Sequence, residues 1–126
     1  MKLRIFENSI RIRLAQNEAA SLAQGKEVSS TLLLGTSQGD GLRYGLVGCT
    51  SAKSLTLNWQ NSSLLLTIPQ AVISAWAESE QVGIYQTIAD TVLEPVRVSI
   101  EKDFRCLQPR PGNDDLDTFD HPIATC

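Results

Sequence analysis

Apolar and polar residues alternate along most of this chain, and the alternation predicts short strands. Lys2–Phe6 places Leu3 and Ile5 on one side, which predicts a half-buried strand. Glu7-Asn8 reads as a turn, and Ile10, Ile12 and Leu14 form the apolar side of a second strand. The period then changes. Gln16 to Gln24 carries Ala19, Leu22 and Ala23 at helical spacing, with Gly25 as the C-terminal stop. Strands follow near Val28–Leu34 and Leu42–Val47, separated by a glycine-rich loop from Gly35 to Gly41. Further on, strands are expected at Leu55–Trp59 and Leu64–Ile68. Pro69 opens a second helix whose buried stripe is Val72, Ile73 and Trp76. The last two strands are expected at Val82–Ile88 and Val96–Ile100.

The two runs read alike. Sliding the chain by 54 positions aligns residues 1–48 with 55–102 without a gap. The identities are Leu3/Leu57, Ser9/Ser63, Gln16/Gln70, Ala23/Ala77, Val28/Val82 and Arg43/Arg97. Apolar positions also coincide: Ile5 with Trp59, Ile12 with Leu66, Leu14 with Ile68, Leu22 with Trp76, Leu34 with Ile88 and Leu46 with Ile100. The order is therefore ββαββ twice, in one domain over 1–126. Residues 49–54 form the linker and 103–126 an acidic tail. The fold class is α+β, mostly antiparallel, either a barrel-like closed sheet or two sheets about a pseudo-twofold axis with two short helices.

Composition adds little to this. Of 126 residues, 42% are hydrophobic and 20% charged, ordinary for a globular domain of 13.8 kDa. No signal-peptide core and no apolar run of spanning length is present, so no membrane association is expected. Three cysteines, Cys49, Cys106 and Cys126, make no disulfide framework and suggest a reducing, cytoplasmic setting.

Charge changes the picture more. The net charge is −3, and all of it lies after Ile100, where six acids meet three bases. The opposite pole is the first hairpin. Lys2 and Arg4 share one face of their strand, and Arg11 and Arg13 share one face of the next. Three readings of that face stay open: a solvated surface, a platform covered by the acidic tail, or a site for an anionic ligand. RNA would need stacking aromatics beside the cations, and only Phe6 lies near in sequence, so nucleic acid is not expected. Arg43 and Arg97, equivalent in the two halves, could converge on an anion through their guanidinium forks.

Catalytic patterns are scarce. Gly35-Thr36-Ser37-Gln38-Gly39 matches a nucleophile elbow, but its flanks read as a hairpin and the sole histidine, His121, lies in the tail. Neither a phosphate-binding loop nor a metalloprotease helix occurs, and no cofactor is implied. In the tail, Cys106, His121 and Cys126, with Asp117 or Asp120, form a candidate zinc set, although the spacing fits no compact zinc module. A Cys106–Cys126 disulfide and a packed structural tail are the competing readings.

The opening Lys2-Leu3-Arg4-Ile5 with Asn8-Ser9-Ile10-Arg11 carries a resemblance, as do two blocks in the tail. These are Glu101-Lys102-Asp103-Phe104-x-Cys106-Leu107 and Asp117-x-Phe119-x-His121-Pro122. Together they resemble a family of small uncharacterised bacterial proteins, a domain of unknown function. The resemblance implies a cytoplasmic bacterial protein and supplies no activity or ligand. Where a Ser or Thr is expected before the first helix, this chain has Ala15-Gln16-Asn17, which leaves Asn17 as the N-cap. The expectation is a small non-enzymatic interaction protein, homodimeric through exposed strand edges, with an anion-binding domain as the alternative.

Overall fold

A computed structural model describes residues 1–90 and 92–104. It contains eight strands and two helices among those residues. The first half comprises β1 (Lys2–Phe6), β2 (Ser9–Leu14), α1 (Gln16–Ala23), β3 (Val28–Leu33) and β4 (Gly41–Cys49). The second comprises β5 (Thr56–Gln60), β6 (Ser63–Pro69), α2 (Gln70–Ala77), β7 (Gly83–Ile88) and β8 (Val96–Lys102). The alternating pattern thus located every strand, with ends displaced by one or two residues.

The strands form two sheets, β1-β2-β8-β7 and β3-β4-β6-β5. Each sheet joins the first hairpin of one half to the second hairpin of the other. Among the described residues neither sheet closes, so the barrel-like alternative gives way to two open sheets. Pairing is mostly antiparallel, as expected. The hairpins are antiparallel, but the central pairs β2–β8 and β4–β6 are parallel. Each central pair joins strands from opposite halves, and a turn dictates direction only within a hairpin.

Pairing registers of the two halves correspond. Leu3 opposes Ile12 and Leu57 opposes Leu66. Ser9 opposes Arg97 and Ser63 opposes Arg43. Loop contacts repeat too: Arg97 N–H donates to Asn8 O at 3.3 Å, and Arg43 N–H to Ser62 O at 3.0 Å. The ungapped alignment fails at one place. Val28 faces Leu46, whereas Ile84 faces Ile100, so the match to Val28 is Ile84 and not Val82. Val82 is accordingly 48% exposed.

The helix exits explain that slip. After α1, Gly25 has φ +84, Gly25 N–H donates to Leu22 O, and Lys26 N–H donates to Ser21 O. This is a Schellman reversal, which needs a residue at ease in the left-handed region. The equivalent position after α2 is Ser79, which does not adopt positive φ. The chain therefore takes two more residues to reach the sheet.

Helix α1 starts differently from expectation. Ala15, not Asn17, occupies the cap position, and it has no side-chain acceptor. Glu18 compensates: its Oε1 accepts the Ala15 N–H at 2.9 Å and its Oε2 accepts the Met1 ammonium at 2.7 Å. Burial alone would raise the Glu18 carboxyl's pKa. The ammonium hydrogen bond, the Ala15 N–H and the ammonium charge outweigh that and hold it below the usual carboxylate value. A lowered folded-state pKa gives stability that is complete above the unfolded pKa and lost as pH falls through the folded one. Glu18→Gln should therefore cost roughly 1 kcal/mol in urea unfolding at pH 7. That difference from the parent should shrink as pH drops below about 4.

The core lies between the sheets and the helices. Ile12, Leu14, Leu46, Leu66, Ile68 and Ile100 from the central strands are essentially inaccessible, as are Leu22, Ile73 and Trp76 from the helices. Val72, expected in the buried stripe of α2, is instead 39% exposed. No polar or charged residue is buried among the described residues. Two polar staples hold the layers. Gln86 donates from Nε2 to Leu55 O at 3.0 Å and accepts the Leu55 N–H at 3.1 Å. Trp76 donates from Nε1 to Val82 O at 3.1 Å.

A candidate anion-binding face

Side chains alternate across a strand, so Ile12, Ile100 and Ile84 face the core while their neighbours face out. The registers place those outward residues in rows across β1-β2-β8-β7. One row is Lys2, Arg13, Glu101 and Gly83. The next is Arg4, Arg11, Ser99 and Tyr85, and the third is Phe6, Ser9, Arg97 and Thr87. The four hairpin cations do share one face, and Arg97 joins them. Lys2 lies directly opposite Arg13, and Arg4 opposite Arg11.

Like charges opposite one another on a sheet repel. Two carboxylates temper this repulsion. Glu101 Oε1 is buried 3.1 Å from Arg11 Nε, an ion pair without hydrogen-bond alignment. Its Oε2 accepts the Tyr85 hydroxyl at 2.9 Å. Gly83 makes room for that reach, since a Cβ there would lie 2.7 Å from the Tyr85 hydroxyl oxygen. Burial, the hydrogen bond to Glu101 and the carboxylate charge raise the Tyr85 pKa, with Arg11 opposing. Asp103 Oδ2 lies 2.7 Å from Lys2 Nζ at the rim. Among the described residues, five cations and two carboxylates thus share this face.

The tail motif divides at its start. Lys102, in phase with the core, donates to Ser79 O at 2.5 Å and stands 5.7 Å from the centre of the Trp76 ring. Asp103 N–H donates to Leu14 O at 2.9 Å, prolonging the sheet, and Phe104 is 52% exposed. Cys106, Asp117, Asp120, Phe119, His121 and Cys126 lie outside the described residues, and with them the zinc set and the tail disulfide. Among the described residues no group of three metal-ligating side chains occurs.

Arg43 and Arg97 are not brought together. Arg43 stands on the outward phase of the other sheet, where it bonds Glu27 at 2.7 Å and Ser29 at 3.4 Å. Arg97 stands on β8, in the sheet β1-β2-β8-β7. Sequence reasoning did not single out Cys49, whose sulfur lies 3.2 Å from the Ser51 hydroxyl oxygen; hydrogen bonding by Ser51 and by the Ser51 and Ala52 backbone lowers its pKa. It lies at the end of β4, away from the basic face.

Among the described residues no helix is long and apolar enough to cross a membrane. No curated protein and no solved structure matches the chain. A family model does match it, over residues 1–123, and its description is a family of unknown function. The chain therefore belongs to this family of unknown function, DUF7009.

Proposed function

We propose that the protein is a non-enzymatic interaction module and that the outer face of β1-β2-β8-β7 docks an acidic protein segment. The observation that carries this is the placing of cations in directly opposed pairs on one sheet face. A face kept only for solubility gains nothing from placing Lys2 against Arg13 and Arg4 against Arg11. A flat array of guanidinium forks suits carboxylates presented in a row. Phe6 and Tyr85 sit at opposite margins, and the Tyr85 hydroxyl is engaged by Glu101, which offers little stacking platform for bases. The corresponding face of the other sheet carries Thr56, Asn58, Leu65 and Thr67, so only one half of the pseudo-symmetric molecule is specialised.

The matching registers support an internal duplication in which the basic face arose on one copy. Its free Cys49 thiol is consistent with a reducing, cytoplasmic setting.

Fluorescein-labelled poly-glutamate tests the function. The full chain should bind it with an affinity that falls steeply between about 50 and 200 mM salt, as screening shortens. Arg13→Glu with Arg97→Glu should weaken binding at least about tenfold, equivalent to roughly 1.4 kcal/mol. Equal binding by the double variant would overturn the reading, as would preferential binding of a single-stranded oligonucleotide.

A further inference from the structure

We infer that β3 is a self-association edge, at which a second copy of this chain adds strand to strand. Two open sheets leave four edge strands: β1, β7, β3 and β5. Natural edges are normally blunted by charge, shortness or covering. Strand β1 carries Lys2 and Arg4. Strand β7 has four of its six residues buried or half-buried, and its Gln86 is clasped to Leu55. Among the described residues, strand β3 has none of these defences. It reads Val-Ser-Ser-Thr-Leu-Leu, is exposed at every position after Val28, and bears no charge. At its end Leu32, Leu33 and Leu34 are 52%, 63% and 71% exposed. Between Glu27 and Asp40 the sequence contains no charged residue.

Strand β5 is also uncharged, but it is polar apart from Leu57 and an exposed Trp59. Closure decides between the combinations. Pairing β3 with β5 of another copy is head-to-tail and propagates without end, whereas β3 against β3 closes as a twofold dimer. Antiparallel pairing about a twofold at Leu33 sets Leu33 beside its own image and Leu32 beside Leu34, the register that covers the most apolar surface. The period of two keeps the core faces of both sheets on the same side.

Size sets the strength. Three half-exposed leucines and the strand edge offer on the order of 500–600 Å² per copy, so about 1,000–1,200 Å² in total, the lower limit of specific interfaces. The dimer expected at that size is a weak one, dissociating in the micromolar range. The basic face lies on the other sheet and stays open in it.

Sedimentation equilibrium of the full chain, from about 5 to 200 µM, should show a monomer–dimer equilibrium. Leu33→Lys should be monomeric throughout with an unchanged melting temperature, because the side chain is exposed. Leu34→Glu should do the same, and guards against an unforeseen defect in the first variant. With the three native cysteines replaced by serine, Leu33→Cys should form a disulfide-linked dimer on mild oxidation. Opposed Cα atoms in either type of antiparallel pair are about 4.5–5.5 Å apart, within disulfide reach. A wild-type chain that stays monomeric at 200 µM, or that grows into open polymers, overturns the inference. So does a dimer that survives both charge substitutions, or a Leu33→Cys chain that does not cross-link.

Discussion

Trp76→Ala is expected to lower stability by about 3–5 kcal/mol, the range for removing a fully buried aromatic. Domains of this size are stable by only about 5–15 kcal/mol, so the variant should be largely unfolded at moderate urea. Three effects converge at this residue. The ring is completely inaccessible among residues from both sheets and both helices. Its Nε1–H satisfies the Val82 carbonyl before β7 begins. Its face receives the Lys102 ammonium at 5.7 Å. Trp76→Phe separates packing from the hydrogen bond. It keeps most of the buried area and should cost only about 1–2 kcal/mol. Fluorescence provides a check. With Trp76 gone, Trp59 is the only indole left, and it is 59% exposed, so the native emission should shift to longer wavelength.

Gln86→Leu should cost about 2–3 kcal/mol, although it replaces a polar residue by an apolar one. The carboxamide imitates a strand partner, giving one acceptor and one donor to the Leu55 backbone. Leu55 is 3% exposed, so without Gln86 both its N–H and its C=O are left dry and unpaired. A leucine cannot repair either. Gln86→Glu should fall between the two, since it keeps the acceptor for the Leu55 N–H and loses the donor. The measurement is the urea midpoint at constant m value. A loss below about 0.5 kcal/mol for Gln86→Leu would mean that water replaces the staple.

The strands were legible because period-two alternation is a local property, read without knowing the neighbours. Gln86 itself was legible in hindsight: it interrupts an apolar phase formed by Ile84 and Ile88. A polar residue at a core-phase position signals a partner, and the sequence cannot name Leu55 as that partner. Parallel pairing at the centre of each sheet was not legible, because an alternating strand looks the same beside a parallel or an antiparallel neighbour. The slip between Val28 and Ile84 escaped for a related reason, since two residues are one full period and leave the alternation intact. The cationic face was legible on β1 and β2. That Arg97 belongs with this face and not with Arg43 was not legible, because which strands share a sheet is set by long-range pairing.

The exchange of hairpins between sheets has a consequence for the order in which the chain folds. All four strands of β3-β4-β6-β5 lie within Val28–Pro69, and its parallel pairing joins residues as close as Arg43 and Ser63. The other sheet must bring Ser9 to Arg97, near the two ends of the described chain. Closing the longer loop costs about 1.3 kcal/mol more in chain entropy. The local sheet is therefore the earlier one to form, and on a ribosome it can assemble before β8 has been synthesised. The cationic hairpin is made first and completed last. Until β8 arrives with Glu101, its opposed charges stand without that carboxylate.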